Sequence, residues 1–217
     1  MSAGTTAGGR RYAGLDADER RAARRAALVV AGLDLFGANG YAHVSVKQVC
    51  DHAHLTQRYF YESFADREAL LRAVYDDVVD AVRERTVAAI GAALAGEAPD
   101  VLDVATAGLR AFVDHLTGDE RSARVLLLEV VGVSPELEAR RNAVIHEFAA
   151  LVEALAVERF GLPAGDERHG LAAVALVGAT NQLLVDWISA PDRRADPALL
   201  ADVLAGLFEA AFERLAQ

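Results

Sequence analysis

Cysteine is nearly absent from this chain of 217 residues, in which Cys50 is the only one. One thiol cannot form an intrachain disulfide and cannot supply the several thiolates of a structural zinc site. No uninterrupted apolar run of about 18 residues occurs, and the opening MSAGTTAGGR lacks the apolar core of a secretory signal. These absences predict a soluble, cytoplasmic protein without a structural metal or a cofactor.

Strand-like alternation of apolar and polar residues is also missing, and aromatic residues make up only 6% of the chain. Hydrophobic residues account for 53%, and the dominant types, Ala, Leu, Val, Arg and Glu, include the best helix formers. The composition therefore predicts an all-α protein. Helical periodicity and capping residues predict nine helices, three in a small first unit and six after it.

Catalytic motifs are missing as well. The chain has no nucleophile elbow, no phosphate-binding loop and no glycine-rich dinucleotide turn. Cys50, Asp51, His52 and His54 lie close in sequence, but Cys50 is predicted to face inward while the others straddle a turn, so we expect no metal site there. The sequence does not predict an enzyme.

The net charge of −10 argues at first against a nucleic-acid partner, but the charge is unevenly distributed. Residues 1–70 contain nine Arg or Lys and eight Asp or Glu, so this part is close to neutral and its arginines are clustered. The acidic excess lies entirely in the remainder, which is unsuited to contact phosphates. Ordinary solvated helix faces are the alternative explanation for this pattern.

Helix-capping residues and apolar periodicity divide the chain into three predicted segments. Residues 1–14 have no apolar periodicity and predict a disordered arm. A small helical domain is expected over residues 15–66, opened by a capping box at Asp16 and Glu19. Residues 67–217 predict a larger helical domain.

Two short helices are predicted close together in the first domain. Ser45 and Gln48 form a capping box for the first of them, and Thr56 is a good N-cap for the second. Phe60 and Phe64 are four residues apart and point the same way. A short helix, a tight turn and another short helix form the pattern of a helix-turn-helix, whose second helix enters the major groove of DNA.

The outward side chains of the second short helix suit DNA. Gln57 and Arg58 are of the types that make bidentate contacts to adenine and guanine edges, and the hydroxyls of Tyr59 and Tyr61 suit phosphate oxygens. The alternative is that the tyrosines pack on a neighbouring helix.

The segment GYAHVSVKQVCDHAHLTQRYFYESFADREALL, residues 40–71, resembles the N-terminal signature of TetR-family repressors. In that signature a Gly-Tyr or Gly-Phe precedes a Ser- or Thr-capped helix, the turn and a Tyr-x-x-Phe. With the first helix included, the resemblance covers about residues 18–75. The matching positions are Gly40, Tyr41, Ser45, Val46, Val49, Leu55, Thr56, Tyr61, Phe64, Arg67, Glu68 and Leu70.

The resemblance implies roles for individual residues. It implies phosphate or backbone contacts from the helix N-termini, from Tyr61 and from Arg67, and base contacts from the start of the second helix. The chain departs from the family at His54, where glycine is usual, and we expect a variant turn there. The implied DNA-binding set is Ser45, Val46, Lys47, Thr56, Gln57, Arg58, Tyr59, Tyr61 and Arg67.

Polar side chains interrupt the apolar helices of the larger domain. In a ligand-responsive regulator such groups border a mostly apolar cavity and orient a small molecule. Surface exposure or hydrogen bonding within a helix is the alternative for each one. The predicted ligand-binding residues are Phe112, His115, Glu129, Asn142, His146, Asn181 and Gln182.

The last two predicted helices, 167–189 and 198–216, suggest an interface between two chains. The first is rich in small residues, and the second has an apolar stripe wider than one partner helix requires. A symmetric four-helix interface would cover both, and core packing within one chain is the competing account. The predicted interface residues are Leu171, Val174, Gly178, Leu200, Leu204, Leu207, Phe208 and Ala211.

These observations predict a homodimeric repressor released from a palindromic DNA operator by a small, mostly apolar effector. Two recognition helices would enter successive major grooves about 34–36 Å apart. Two alternatives stay open: a ligand-independent regulator or activator, and a helical binding protein or enzyme that retains a helix-turn-helix.

Overall fold

The computed structural model describes the backbone of residues 8–217 and the side chains of residues 17–217. Within this part of the chain the fold is all-α, as predicted, and contains no strand. The α-helices are α1 (Gly8–Asn39), α2 (Val46–His52), α3 (Gln57–Ser63), α4 (Arg67–Leu94), α5 (Val101–Gly118), α6 (Glu120–Arg124), α7 (Pro135–Glu158), α8 (Glu167–Ser189) and α9 (Pro197–Leu215).

The first helix begins earlier than the sequence indicates. It starts at Gly8 and passes through Asp16 without a break, so the expected cap at Asp16 is wrong. Residues 8–14 are helical instead of part of an arm, because they contain no proline and can extend the helix from its N-terminal side. The rest of the expected arm, residues 1–7, lies outside the described residues. The helix ends where Gly40 adopts a φ of 83°, which glycine tolerates without strain.

The chain divides into two compact units, residues 1–74 and 75–217, with the division falling inside α4. In the first unit, α2 and α3 pack on α1 and on each other. Leu28, Phe36 and Phe60 are fully buried and form the centre of this core. The small unit therefore holds its two short helices on a fixed apolar scaffold.

The second unit, residues 75–217, is built mainly from two packed pairs of helices, α5 with α9 and α7 with α8. Leu116, Leu137, Leu184 and Leu204 are among its fully buried side chains. Proline at the first position of α7 and of α9 follows the N-cap residue, as expected for these helix starts.

One helix of the second unit differs from its expected form. The sequence predicts a single helix over 120–132, whereas α6 continues from Arg124 into a π-helical segment, Val125–Glu129. A π-helix brings residues five apart into register. Arg124 Nη2 accordingly donates to Glu129 Oε1 at 3.0 Å.

By length and composition, the helix α8 (Glu167–Ser189) could cross a membrane. Only 28% of its most apolar 18-residue stretch is buried within the protein. One such helix among the described residues is weak support for a membrane span, because core helices of soluble proteins meet the same criterion.

Candidate functional site

The turn between α2 and α3 contains a left-handed residue. His54 has a φ of 54°, so the position where the TetR signature usually has glycine does adopt the conformation that glycine favours. The Leu55 amide donates to the Cys50 carbonyl at 2.9 Å, which closes the turn. His54 is therefore a tolerated departure that preserves the turn geometry.

The two short helices begin with different caps. The Ser45 hydroxyl accepts from the Gln48 amide at 3.3 Å, and the Gln48 side chain accepts from the Ser45 amide at 2.8 Å, so the predicted capping box is present. Thr56 stands at the N-cap position of α3, but its hydroxyl makes no capping hydrogen bond. The N-terminus of α3 thus keeps its first amides and a hydroxyl available for another acceptor.

Side chains at the exposed face of α3 are available to a partner. Gln57, Arg58 and Tyr61 are exposed, and the Arg58 side chain is 84% accessible. Arg58 Nε donates to Glu62 Oε1 at 3.0 Å, an exposed pair one helical turn apart that costs little free energy to break. Tyr61 packs one edge of its ring on Phe60 and leaves the rest in solvent.

Tyr59 lies apart from this exposed group. Its ring is half-buried, and the guanidinium of Arg24 on α1 stacks over it at 4.4 Å. In the same way Arg25 stacks over Phe64 at 4.8 Å. The α1 arginines therefore contact aromatic side chains at the edge of α3. This contact was not predicted, because the residues are far apart in sequence.

On α2, Val46 is half-buried, while Lys47 is exposed and its ammonium lies 2.6 Å from a carboxylate oxygen of Asp51. This hydrogen bond raises the pKa of Lys47, so the side chain keeps its positive charge.

Arg67 is occupied inside the first unit. Its guanidinium donates to the carbonyl of Val44 and stacks over the Tyr41 ring at 4.3 Å. These contacts join the start of α4 to the segment that leads into α2. The geometry therefore gives Arg67 a positioning role in addition to the phosphate contact that the resemblance implies.

The second unit contains a cavity of about 190 Å³ that opens to solvent. Its wall draws on α4, α5, α7, α8, α9 and the π-helical segment, and most of the side chains there are apolar. The aromatic pair Phe112–Phe148 lies on this wall with ring centroids 5.6 Å apart. A concave apolar site with few polar groups suits a small hydrophobic ligand.

Only two of the seven predicted ligand-binding residues, Phe112 and Asn181, lie on the cavity wall. Asn142 and His146 are exposed on α7, so these two follow the alternative of surface exposure. Gln182 is also exposed and donates to Asp186 at 2.9 Å.

The other two predicted ligand-binding residues are partly buried away from the cavity wall. Glu129 accepts from Arg124, which accounts for its charge. His115 is partly buried, and burial lowers the pKa of its imidazole, with the nearby Arg85 acting in the same direction. Sequence periodicity could not separate such positions from the cavity wall, because a helix touched by neighbours on two sides has more than one inward face.

Several polar residues on the cavity wall were not predicted. Among the histidine, asparagine and charged side chains of the wall, His169 is the most buried. Thr86 and Thr180 also reach the wall, but each hydroxyl donates to the carbonyl four residues earlier in its own helix. A single histidine in a helix carries no sequence signal that distinguishes a cavity position from a core position.

The predicted interface residues fall into two groups. Leu171 and Leu207 are 72% and 46% exposed, and Val174, Gly178 and Leu200 are half-buried. Leu204 instead is fully buried within the chain, while Phe208 and Ala211 lie on the cavity wall. The stripe on α9 was too wide for one partner because part of it borders the cavity.

Histidine, cysteine and acidic side chains form no group of three suited to a metal ion within the part of the chain that is described. Cys50 is buried as predicted, and burial raises the pKa of its thiol. A protonated thiol is a poor metal ligand and a poor nucleophile.

Two short helices joined by a left-handed turn, with an exposed polar face on a fixed apolar core, define the first unit as a helix-turn-helix DNA-binding domain. Residues 28–74 match the family model of bacterial regulatory proteins of the tetR family. The match lies within the N-terminal unit, which is therefore similar to the DNA-binding domain of tetR-family regulatory proteins.

Solved structures with the same fold cover both units. The fatty acid degradation regulator FadR from Bacillus halodurans is 19% identical, with a TM-score of 0.68 over 85% of this chain and 94% of its own. The transcriptional regulator FadR from Bacillus subtilis, in complex with stearoyl-CoA, is 18% identical, with a TM-score of 0.70 over 84% and 96%.

A TetR-family transcriptional regulator from Streptomyces coelicolor is 19% identical, with a TM-score of 0.65 over 89% of this chain and 90% of its own. Among curated proteins no significant match was found.

Proposed function

We propose that this chain is a homodimeric, cytoplasmic repressor that leaves a palindromic operator when a small, mostly apolar effector enters the cavity of its second unit. The single observation that carries the proposal is that cavity, an apolar space in a unit that follows a DNA-binding domain in the same chain. A regulator without a ligand has no need of such a space, because unfilled volume in a core costs stability.

On the DNA side, Gln57 and Arg58 are proposed to contact base edges from the exposed start of α3. Phosphate contacts are proposed for the rest of the set, which comprises Ser45, Val46, Lys47, Thr56, Tyr61 and Arg67. Tyr59 is proposed to act with Arg24, since stacking on the guanidinium holds its ring at the edge of α3.

Dimerisation is supported by apolar side chains left in solvent on the last two helices. Leu171 on α8 and Leu199, Val203 and Leu207 on α9 are each about half exposed or more. Leu199, Val203 and Leu207 are four residues apart, so they form one exposed stripe. A second copy of the chain, applied through a twofold axis, would cover this stripe with its own.

The effector is proposed to contain a long apolar part. The wall of the cavity is almost entirely apolar and offers few polar partners. The B. subtilis regulator that shares this fold was solved with stearoyl-CoA, which has a long aliphatic chain. Binding would favour a conformation in which the two recognition helices no longer match the operator.

Release of DNA by an apolar effector is testable with a variant that fills the cavity. Ala172 lies on the wall and is half-buried, whereas Ala150 is exposed on α7 and lies off this wall. We expect stearoyl-CoA or octadecan-1-ol to release operator DNA from the wild type and from Ala150→Phe. Ala172→Phe should bind the operator but resist release by about tenfold in effector concentration. Equal release from both variants would contradict the proposal.

A further inference from the structure

The cavity wall contains one deeply buried polar side chain whose hydrogen-bonding groups are both unused. His169, near the start of α8, is 3% exposed, and neither Nδ1 nor Nε2 has a hydrogen-bond partner among the residues the structure describes. Its backbone amide is satisfied by the Asp166 carbonyl at 3.0 Å, so only the ring lacks partners. Buried polar groups are almost always hydrogen-bonded, and an orphaned one needs an explanation.

The other polar side chains of the wall do not share this property. The hydroxyls of Thr86 and Thr180 are satisfied by their own helices. Asn181 is only half-buried, and its amide atoms are absent from the buried unsatisfied groups. Among the described residues that line the cavity, His169 is the one with buried side-chain atoms that lack a partner, so a ligand that bonds to it satisfies an unsatisfied group.

Charged side chains of both signs also line the cavity. Glu153 lies on α7, and a Cβ placed on Gly170 would lie 3.5 Å from Glu153 Oε2. Arg141, on the same helix, supplies a guanidinium. The His169 ring makes no hydrogen bond to either of them.

We propose that His169 binds a hydroxyl group of an otherwise apolar effector. An imidazole nitrogen donates or accepts according to the tautomer, and a hydroxyl can accept from the one or donate to the other. A ligand carboxylate, ether or ester can only accept, so none of them could serve the unprotonated nitrogen. The inference rests on the proposed function, in which the cavity holds the effector.

Direct binding to purified protein tests this hydroxyl site without DNA. The probes are decan-1-ol, decane and decanoate, each competing with the fluorophore 1-anilinonaphthalene-8-sulfonate. The wild type should bind decan-1-ol about tenfold more tightly than decane, which corresponds to one net hydrogen bond. His169→Phe keeps an aromatic ring but no hydrogen-bonding atom, so it should bind the alcohol no more tightly than the alkane.

Two further variants make the result specific. His169→Gln retains a donor and an acceptor and should keep part of the preference for the alcohol. His146→Phe makes the same substitution at a histidine that is exposed on α7 and lies off the cavity wall, and it should leave the tenfold preference unchanged.

Three results would overturn the hydroxyl site. These are a preference for the alcohol that survives His169→Phe, a preference that is lost in His146→Phe as well, and tighter binding of decanoate than of decan-1-ol. If the wild type binds alcohol and alkane equally, only this inference fails. If the wild type binds none of the probes, the proposed effector cavity fails with it.

Discussion

Arg67 shows how one side chain links the stability of the DNA-binding unit to its function. Its guanidinium satisfies the buried Val44 carbonyl and covers the Tyr41 ring, and both groups precede the cap of α2. Without this donor the buried Val44 carbonyl would have one hydrogen-bond partner fewer, which would lower the free energy of unfolding. The residue thus supports the placement of α2 even in the absence of DNA.

Arg67→Ala should therefore destabilise the first unit by about 1–3 kcal/mol, because a buried acceptor loses its donor and a cation–π contact is lost. Arg58→Ala is the matched control, since the Arg58 side chain is largely exposed and should change stability by less than about 0.5 kcal/mol. Hydrogen exchange of the α1 and α2 amides measures both. Equal protection in the two variants would show that the Arg67 contacts carry no stability.

At the residue scale, the sequence predicts contacts and backbone conformations that depend on nearby residues. It does not predict contacts between residues that are distant in sequence. The Ser45–Gln48 capping box and the left-handed backbone at His54 depend on residues within a few positions, and both are present. The stacking of Arg67 on Tyr41 and the place of His169 on the cavity wall depend on packing between separate segments. No local pattern marks those.

At the scale of elements, the bounds of most helices were predictable because capping residues, proline and glycine mark them. The helix α8 (Glu167–Ser189) has the predicted bounds. The exceptions have physical reasons: α1 extends to Gly8 because nothing stops it, and α6 changes into a π-helix where Arg124 and Glu129 pair. Neither a missing stop nor a π-segment has a reliable sequence signal.

The two short helices differ in how their N-termini are capped, which leads to a paired prediction. Ser45→Ala removes a complete capping box and should reduce the protection of the α2 amides by about 0.5–2 kcal/mol. Thr56→Ala removes a hydroxyl that makes no capping bond, so the α3 amides should change by a few tenths of a kcal/mol at most. A larger loss in Thr56→Ala than in Ser45→Ala would contradict the cap assignments.

At the scale of the whole molecule, the proposed dimer rests on the division of α9 into an exposed side and a buried side. Leu207 is exposed, whereas Leu204, three residues earlier, is fully buried. The sequence placed both in the interface because residues three apart share one broad face of a helix. Only the packing within the chain separates them.

Leu207→Glu should therefore give a folded monomer, because a charge would be buried at the interface between chains while the core of each chain stays intact. The wild type should sediment near twice its chain mass of 23.1 kDa. Val131→Glu, at another exposed apolar position, is the control and should remain a dimer. A wild-type monomer at micromolar concentration would refute the dimer, and unfolding of Leu207→Glu would place Leu207 in the core instead.

The exposed N-terminal residues of α3 are proposed to contact operator bases. Selection of the operator from random duplexes tests this proposal most directly. Wild-type protein selected on random duplexes should enrich a palindrome whose half-sites lie about one duplex turn apart. Arg58→Ala should then lose about 1–3 kcal/mol on the selected site and little on a scrambled duplex, at each of several salt concentrations. No enriched palindrome, or equal losses on both duplexes, would contradict base reading by Arg58.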